Sequence, residues 1–250
     1  QIMSRDNLNC LSPKSDLLAV GGWQEQRFTV FDTLTKAAVV RLGKASSFGH
    51  EQNQVVFSCD SKWVAFISDN EGGVWSTESG DRVLPLDGPE PKHLLGFSPT
   101  SEKFAAIAGE KMICWRTNDW KEISVFTSNG TTREFGGFSP NGDRLVSMEP
   151  GIRGKRIVVW DIATKGELRR IETADTVSVA FIGPDHIICR ERDPDHAIIW
   201  RIEDTSKAAE VDFGTVGSFV QRMRFSPDGR FIASCHEDST IYVWDMCNAK

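Results

Sequence analysis

The stretch from residue 225 to 245 restricts the possible fold of this chain more than any other. It contains a tight Ser-Pro-Asp-Gly turn at 226–229, an apolar run at 231–235, a polar turn, and a third run at 241–244. The third run is rich in β-branched and aromatic residues, and proline and glycine favour the turn. Three short antiparallel strands cannot bury two apolar faces alone, so this unit needs similar neighbours.

The same pattern occurs six times, and an aromatic residue closes the third run of each repeat. These aromatic residues are Phe31, Trp75, Trp115, Trp160, Trp200 and Trp244, separated by 44, 40, 45, 40 and 44 positions. A weaker apolar run follows each of the first five, at 37–42, 82–86, 122–126, 167–171 and 208–211. We therefore predict four strands per repeat in one domain, with units 1–44, 45–88, 89–128, 129–172, 173–212 and 213–250.

These repeats resemble the WD40-repeat family of β-propellers over essentially the whole chain. The resemblance is carried by the Phe-Ser-Pro-Asp-Gly turn, the period, and the Trp-Asp endings at Trp160-Asp161 and Trp244-Asp245. The family's hydrogen-bonded Asp before the third strand is matched by Asp238, and most other repeats depart from it. The resemblance implies an all-β fold, a β-propeller of six four-stranded antiparallel blades, complete or a fragment of a larger propeller.

The third strands support this fold independently. Residues 157–160, for example, are apolar on both faces instead of alternating, which is typical of a strand between two neighbouring sheets. Radial stacking of four-stranded sheets buries both faces of each sheet. We expect Gln1 to Arg5 to supply the outer strand of the last blade, with more sequence in the natural protein. The alternative is that further blades lie outside this chain.

Composition and charge exclude several classes of protein. The chain has 250 residues, is 40% apolar and 26% charged, and carries a net charge of −6. That charge argues against general nucleic-acid binding and against anionic membranes. No apolar run approaches the roughly 18 residues of a membrane span. The six scattered cysteines indicate a reducing compartment, so we predict an intracellular protein of the cytoplasm or nucleus.

The sequence contains no arrangement typical of a catalytic or metal site. His50, His93, His196 and His236 belong to four different repeats and lack metal-ligand spacing. A G-x-S-x-G nucleophile motif and a phosphate-binding loop are both missing. We therefore predict a protein that is not an enzyme and that uses no metal and no cofactor.

Charged turns between the second and third strands are the predicted partner-binding site. The fourth repeat has Arg153, Lys155 and Arg156 in a turn three residues longer than that of the sixth repeat. We predict that these cations and those of the fifth repeat form one edge of a face that binds an acidic protein segment. The predicted set also contains Arg190, Arg192, Trp23, His236 and Glu237. The alternative is that these residues are ordinary solvated loop tips.

The predicted function is a non-catalytic scaffold for protein–protein interaction. This prediction rests mainly on the resemblance, because propellers carry many functions. One alternative is a regulatory or sensor propeller within a larger multidomain signalling protein. The other is a propeller enzyme or metal-binding protein.

Overall fold

The structure, a computed structural model, is all-β. It describes residues 9–22, 27–44, 54–68, 71–88, 92–127, 136–152, 154–173, 176–191, 196–212, 220–225, 230–236, 238 and 240–245. Within these residues every regular element is a strand, so the predicted all-β class is confirmed. The chain forms two compact units, Gln1–Thr127 and Ser128–Lys250.

The first unit contains three four-stranded antiparallel sheets, numbered here in chain order. Sheet 1 is β1 (Asn9–Leu11), β2 (Leu17–Gly22), β3 (Arg27–Asp32) and β4 (Ala38–Lys44). Sheet 2 is β5 (Gln54–Phe57), β6 (Trp63–Ile67), β7 (Gly72–Ser76) and β8 (Arg82–Pro85). Sheet 3 is β9 (Lys92–Phe97), β10 (Lys103–Ala108), β11 (Lys111–Arg116) and β12 (Glu122–Thr127).

The second unit contains the other three sheets of the described residues. Sheet 4 is β13 (Gly137–Phe138), β14 (Arg144–Pro150), β15 (Lys155–Asp161) and β16 (Gly166–Thr173). Sheet 5 is β17 (Thr176–Phe181), β18 (His186–Glu191), β19 (His196–Arg201) and β20 (Lys207–Asp212). Sheet 6 has three strands among the described residues: β21 (Val220–Phe225), β22 (Phe231–His236) and β23 (Ile241–Asp245). Gln1 to Arg5, predicted to add its fourth strand, lie outside the described residues.

A buried serine organises the turn between the first and second strands of sheets 1 to 4. Its hydroxyl accepts the backbone N–H of the residue five positions later at 2.9–3.0 Å. These serines are Ser12, Ser58, Ser98 and Ser139. The residue three positions later has a positive φ, and it is Ser15, Ser61, Ser101 or Gly142. In three of these turns a serine adopts the positive φ that glycine favours, and hydrogen bonds within the turn support it.

Hydrogen bonds also connect these turns from one sheet to the next within the first unit. The Lys14 amide lies 3.4 Å from Ser61 Oγ. The Asp60 amide lies 3.1 Å from Ser101 Oγ. The serine with positive φ in each later turn therefore accepts a backbone donor from the preceding sheet, which fixes the stagger between neighbours.

Sheets of the first unit pack face to face, and the later sheet always contributes the face that carries its closing tryptophan. First strands of neighbouring sheets also contact each other, β1 with β5 and β5 with β9. The core between sheets 1 and 2 contains Leu17, Ala19, Phe28, Val30, Val40, Leu42, Phe57, Val64, Phe66 and Trp75. The core between sheets 2 and 3 contains Ala65, Ile67, Val74, Leu94, Phe104, Ala106 and Trp115.

The second unit repeats this packing. Strand β17 contacts β13 and β14, and Trp200 and Trp244 pack on the cores formed with the preceding sheet. The core between sheets 4 and 5 contains Val146, Met148, Ile157, Val159, Ile171, Val179, Phe181, Ile187, Cys189, Ile198 and Ile202. The core between sheets 5 and 6 contains Ile188, Ala197 and Ile232.

The closing aromatics are buried to different degrees. Trp75, Trp115 and Trp160 are buried, whereas Phe31, Trp200 and Trp244 are half-buried. The prediction that all six are largely buried is therefore confirmed for three of them. In sheet 6 the described residues include no fourth strand beside β23.

In the second unit each closing tryptophan donates its indole N–H to a side chain on the second strand of its own sheet. Trp160 Nε1 donates to Ser147 Oγ at 2.8 Å, and Trp244 Nε1 donates to Ser234 Oγ at 3.0 Å. In sheet 5 the acceptor is a thiol, because Trp200 Nε1 lies 3.2 Å from Cys189 Sγ. The acceptor always sits two positions after the residue that pairs with the tryptophan. In the first unit the same position holds Val20, Phe66 or Ala106.

Because Gly73 has no side chain, the Arg82 side chain can lie against sheet 2 at this position. A Cβ at Gly73 would lie 2.6 Å from Arg82 Nε and 2.6 Å from the Leu84 carbonyl oxygen. Without it, the Arg82 guanidinium lies over the Trp75 ring, 5.3 Å from its centroid, and pairs with Asp87. The glycine therefore makes room for a cation–π contact, although glycine in a strand interior ordinarily weakens the strand.

His93 on β9 is held neutral by its neighbours. Gln54 Oε1 accepts the Leu94 amide at 2.7 Å, so the Gln54 Nε2 group, 2.6 Å from His93 Nδ1, must act as the donor. His93 Nδ1 is therefore an unprotonated acceptor. Burial lowers the pKa of His93, because it disfavours the charged imidazolium.

We predict that replacing Trp160 with Ala lowers the free energy of unfolding by about 3–5 kcal/mol, because the change leaves a cavity. Urea titration followed by fluorescence or circular dichroism measures this loss. Leu34→Ala is the control, since Leu34 is 89% exposed and should change stability little. Unchanged stability of Trp160→Ala would contradict the strand register described above.

We predict that the protein loses stability as the pH falls below the unfolded-state His93 pKa of about 6.5. The folded-state pKa of His93 is lower, so in this window the unfolded chain binds the extra proton and folding becomes less favourable. Urea midpoints measured between pH 8 and pH 5 report the effect. His93→Gln should have a flatter profile over that range, and an identical profile would rule out this role for His93.

Candidate partner-binding site

The predicted site lies at one end of sheets 4 and 5. At the opposite end, Arg144 Nη1 donates to the Pro184 carbonyl at 2.8 Å, which joins the start of β14 to the turn before β18. Strands β14 and β18 both begin at that end, so both finish at the other one. Pro150 and Glu191, the last residues of these strands, therefore lie at a shared end of the two sheets.

Among the six hairpins formed by the second and third strands of a sheet, the β14–β15 hairpin is the longest. Leu145 pairs with the closing Trp160, and these residues are 15 positions apart. The corresponding separations in sheets 1, 2, 3, 5 and 6 are 13, 11, 11, 13 and 12 positions. The three extra residues relative to sheet 6 were predicted from the sequence. They lengthen the ladder and not the turn, because β14 continues to Pro150 and β15 begins at Lys155, which leaves four residues between the strands, as many as lie between β22 and β23. The prediction of a longer turn is therefore wrong.

A buried ion pair joins the two strands of this hairpin near its tip. Glu149 and Arg156 are register partners, and Arg156 Nη2 lies 2.9 Å from Glu149 Oε2. Their side chains are only 2% and 11% exposed. Glu149 Oε1 and Arg156 Nε have no hydrogen-bond partner within the described part of the chain. Arg156, which was predicted to lie in the turn, therefore lies in β15 and pairs across the ladder with Glu149, so the two side chains shield each other's charge.

The fourth strand supports the same hairpin. Thr173 Oγ1 donates to the Lys155 carbonyl at 3.0 Å. A Cβ at Gly151 would lie 2.7 Å from Glu172 Oε2 and 2.9 Å from the Lys155 carbonyl oxygen. The Gly151 amide donates to the Gly154 carbonyl at 2.9 Å and closes the turn. The glycine at 151 is therefore required by the close approach of β15 and β16.

Charges at the end of sheet 5 are mixed in sign. Arg190 is half-buried, and burial lowers its pKa. His196 Nε2 lies 3.6 Å from Glu210 Oε1 and 3.8 Å from Glu191 Oε2, and Lys207 pairs with Glu210. Carboxylates thus offset the cations among the described side chains of sheet 5, as the mixed charges of this repeat in the sequence suggested.

His236 lies in the interior. It is 1% exposed, its Nε2 lies 2.9 Å from Ser234 Oγ, and its ring meets Tyr242 edge-on at 5.0 Å. Ser234 also accepts the Trp244 indole hydrogen, so sheet 6 contains a buried His–Ser–Trp network. Such burial leaves little of His236 for a partner to contact. His236 is the last residue of β22 and lies on the buried face of this strand, together with Ile232 and Ser234.

The remaining predicted residues have separate outcomes. Arg153, Arg192, Trp23 and Glu237 lie outside the described residues. Lys155 is half-buried at the start of β15. Ile152, which the sequence analysis did not name, is 88% exposed between β14 and β15.

The described residues contain no cluster of three or more His, Cys, Asp or Glu side chains suited to a metal ion. They include no helix long and apolar enough to cross a lipid bilayer. Cysteines in this part of the chain are free thiols: Cys10, Cys59, Cys114, Cys189 and Cys235.

Comparison with known proteins supports the resemblance inferred from the sequence. The family model described as "WD domain, G-beta repeat" matches residues 213–245. The recognition of a WD40 repeat is therefore confirmed at this end of the chain, where the turn and the Trp-Asp ending occur together. No curated protein matches the chain.

We predict that removing one partner of the Glu149–Arg156 pair is far more damaging than removing both. Arg156→Leu should lower the free energy of unfolding by about 3–5 kcal/mol, because it leaves a buried carboxylate without its cation. The double variant Glu149→Leu/Arg156→Leu should recover most of that loss. A double-mutant cycle by urea titration measures the coupling. Additive losses in the double variant would show that the pair is not coupled.

Proposed function

We propose that this chain is a WD40-type β-propeller, or part of one, that acts as a non-catalytic scaffold for protein–protein interaction. The observation that carries the proposal is the repeated packing of sheets within each unit. Every later sheet places its tryptophan-bearing face on the preceding sheet. First strands meet first strands, as expected for blades arranged around an axis.

The exposed face of sheet 6 needs cover. Ile241 and Val243 on β23 are exposed, although the third strands of sheets 2 and 4 are buried on both faces. Apolar sheet faces are rarely left open, and repeat arrays either cap them or close on themselves. The exposed β23 side chains support the proposal that another sheet covers them in the natural protein.

The thiols support a role without nucleophilic catalysis. Burial raises the pKa of Cys114 to about 12, and it also raises the pKa of Cys10, Cys59 and Cys189. The thiolate is the reactive form of cysteine, so these groups are poor nucleophiles near neutral pH. They behave as small apolar core residues, which also supports a reducing intracellular location.

The partner-binding face in this proposal is the end of sheets 4 and 5 described above, and the partner is an acidic protein segment. Lys155 and the cations at 153 and 192 supply the attraction, whereas Arg156 serves the internal pair with Glu149. Turns on a rigid β-scaffold commonly carry recognition, and rim charges set the association rate and the register of the partner.

The test uses the full-length natural protein, purified with its bound partner, and the double variant Arg153→Glu/Lys155→Glu. Arg156 stays unchanged, because a carboxylate there would face buried Glu149 and unfold the hairpin. The control is Lys36→Glu/Lys62→Glu, which reverses two exposed lysines in other turns with the same change of net charge. We expect roughly tenfold slower association at low salt for the first variant only.

The salt dependence provides the second measurement. Association of the wild-type protein should slow as salt increases, and Arg153→Glu/Lys155→Glu should flatten or reverse this trend. Equal association rates for wild type and both variants would overturn the choice of face. A natural protein that purifies without any stoichiometric protein partner would overturn the scaffold function itself.

A further inference from the structure

We propose that Trp63 and Trp120 form a docking site for a proline-rich segment of a partner protein. This inference goes beyond the function proposed above, because it assigns a second binding surface, in the first unit, to a different kind of segment. A scaffold with two such surfaces can hold two partners at once.

The two indole rings meet where sheet 2 packs on sheet 3. Trp63 is the first residue of β6, and Trp120 lies in the turn between β11 and β12. Their ring centroids are 5.1 Å apart and their planes lie at 89°, an edge-to-face arrangement. Both residues are half-buried. Within the described part of the chain, neither indole N–H has a hydrogen-bond partner and neither is a buried unpaired group, so both donors are open to solvent.

The fold does not require tryptophan at either position. Trp63 pairs with the residue that follows the closing aromatic of its sheet. The corresponding residues of the other sheets are Leu17, Lys103, Arg144, His186 and Phe231. Trp120 is the fifth residue after its closing aromatic, and the corresponding residues of sheets 1, 2, 4 and 5 are Lys36, Gly80, Lys165 and Thr205. Three sheets thus hold a polar residue at the first position, and none of these four sheets holds an aromatic residue at the second.

Trp120 also adopts an unfavourable backbone angle. Its φ is 55°, in the left-handed region that bulky residues rarely adopt. The Trp120 amide donates to the Arg116 carbonyl at 2.8 Å, and the Arg116 amide donates to the Lys121 carbonyl at 3.0 Å. Thr117 Oγ1 donates to the Ser101 carbonyl at 2.7 Å, which joins this turn to the turn between β9 and β10. The turn is therefore fixed, and tryptophan occupies it in spite of its backbone angle, as residues at binding sites often do.

The exposed groups fit a proline-rich segment. Proline rings pack on aromatic side chains, and a polyproline II chain has no internal hydrogen bonds, so its carbonyl groups are free to accept the two indole N–H groups. Such a chain is extended before it binds and loses little entropy. Lys62, beside Trp63, is exposed and forms no ion pair within the described residues, so it attracts an acidic residue next to the prolines. A cationic segment is disfavoured for the same reason.

The experiment adds a synthetic polyproline peptide with aspartate at both ends to the full chain, which carries isotope-labelled tryptophan for NMR. Trp63→Phe and Trp120→Phe assign the two indole N–H resonances. We expect both resonances to shift with the peptide. Those of Trp160 and Trp244 should stay in place, because their N–H groups already donate to serines of the second unit. A peptide with glycine at alternate prolines should bind more weakly.

Substitutions measure the contribution of each ring. Trp120→Lys introduces the residue that sheets 1 and 4 carry at this turn position, so the turn should still form. It should weaken peptide binding about tenfold, although it adds a cation that attracts the aspartates. Trp63→Lys should weaken binding similarly. Thr205→Lys, the same change of turn residue in sheet 5, is the matched control and should bind as wild type does. Urea midpoints report whether each variant is folded.

The outcomes separate this site from the partner face proposed above. Indole resonances of Trp63 and Trp120 that do not shift, or wild-type affinity of Trp120→Lys, would overturn the site. Shifts caused by a trimethyl-lysine peptide and not by the proline peptide would overturn the choice of segment. Arg153→Glu/Lys155→Glu should bind the proline peptide as wild type does, so failure of the tryptophan site leaves the other face and the scaffold function standing.

Discussion

Packing of one sheet on the next is the interaction on which the rest of this structure depends. Strands such as β7 and β15 are buried on both faces, and a four-stranded sheet cannot cover both of its own faces. Trp75 and Trp115 fill the space towards the preceding sheet. In the second unit Trp160 and Trp244 each donate an indole hydrogen bond to a serine, so their orientation is fixed by direction as well as by shape.

The sequence predicted the fold well because its signal is repeated. Six closing aromatics at nearly equal spacing determined the third strands, and the apolar runs after them determined the fourth, as at β12 and β16. Backbone angles were less predictable. Ser15, Ser61 and Ser101 adopt positive φ values that glycine favours. Ser61 and Ser101 also accept a backbone hydrogen bond from the preceding sheet, which no local pattern describes.

The candidate site was predicted in position but not in chemistry. The extra length of the fourth repeat located the hairpin, yet Arg156 was predicted to face a partner. In the structure Glu149 neutralises Arg156, and Glu191 and Glu210 lie beside His196. Sequence position does not show which charges share a face across a ladder, because that depends on register. A one-residue shift of register would have separated Glu149 from Arg156.

The hydrogen bonds between turns of the first unit make the order in which its sheets separate measurable. The Lys14 amide is bonded to sheet 2, and the Asp60 amide is bonded to sheet 3. Loss of sheet 3 would expose the Asp60 amide to solvent deuterium and leave Lys14 protected. Loss of sheet 2 would expose both. Hydrogen exchange at these two amides therefore records the order in which neighbouring sheets separate. Ser61 and Ser101 each hold the preceding sheet through one hydrogen bond.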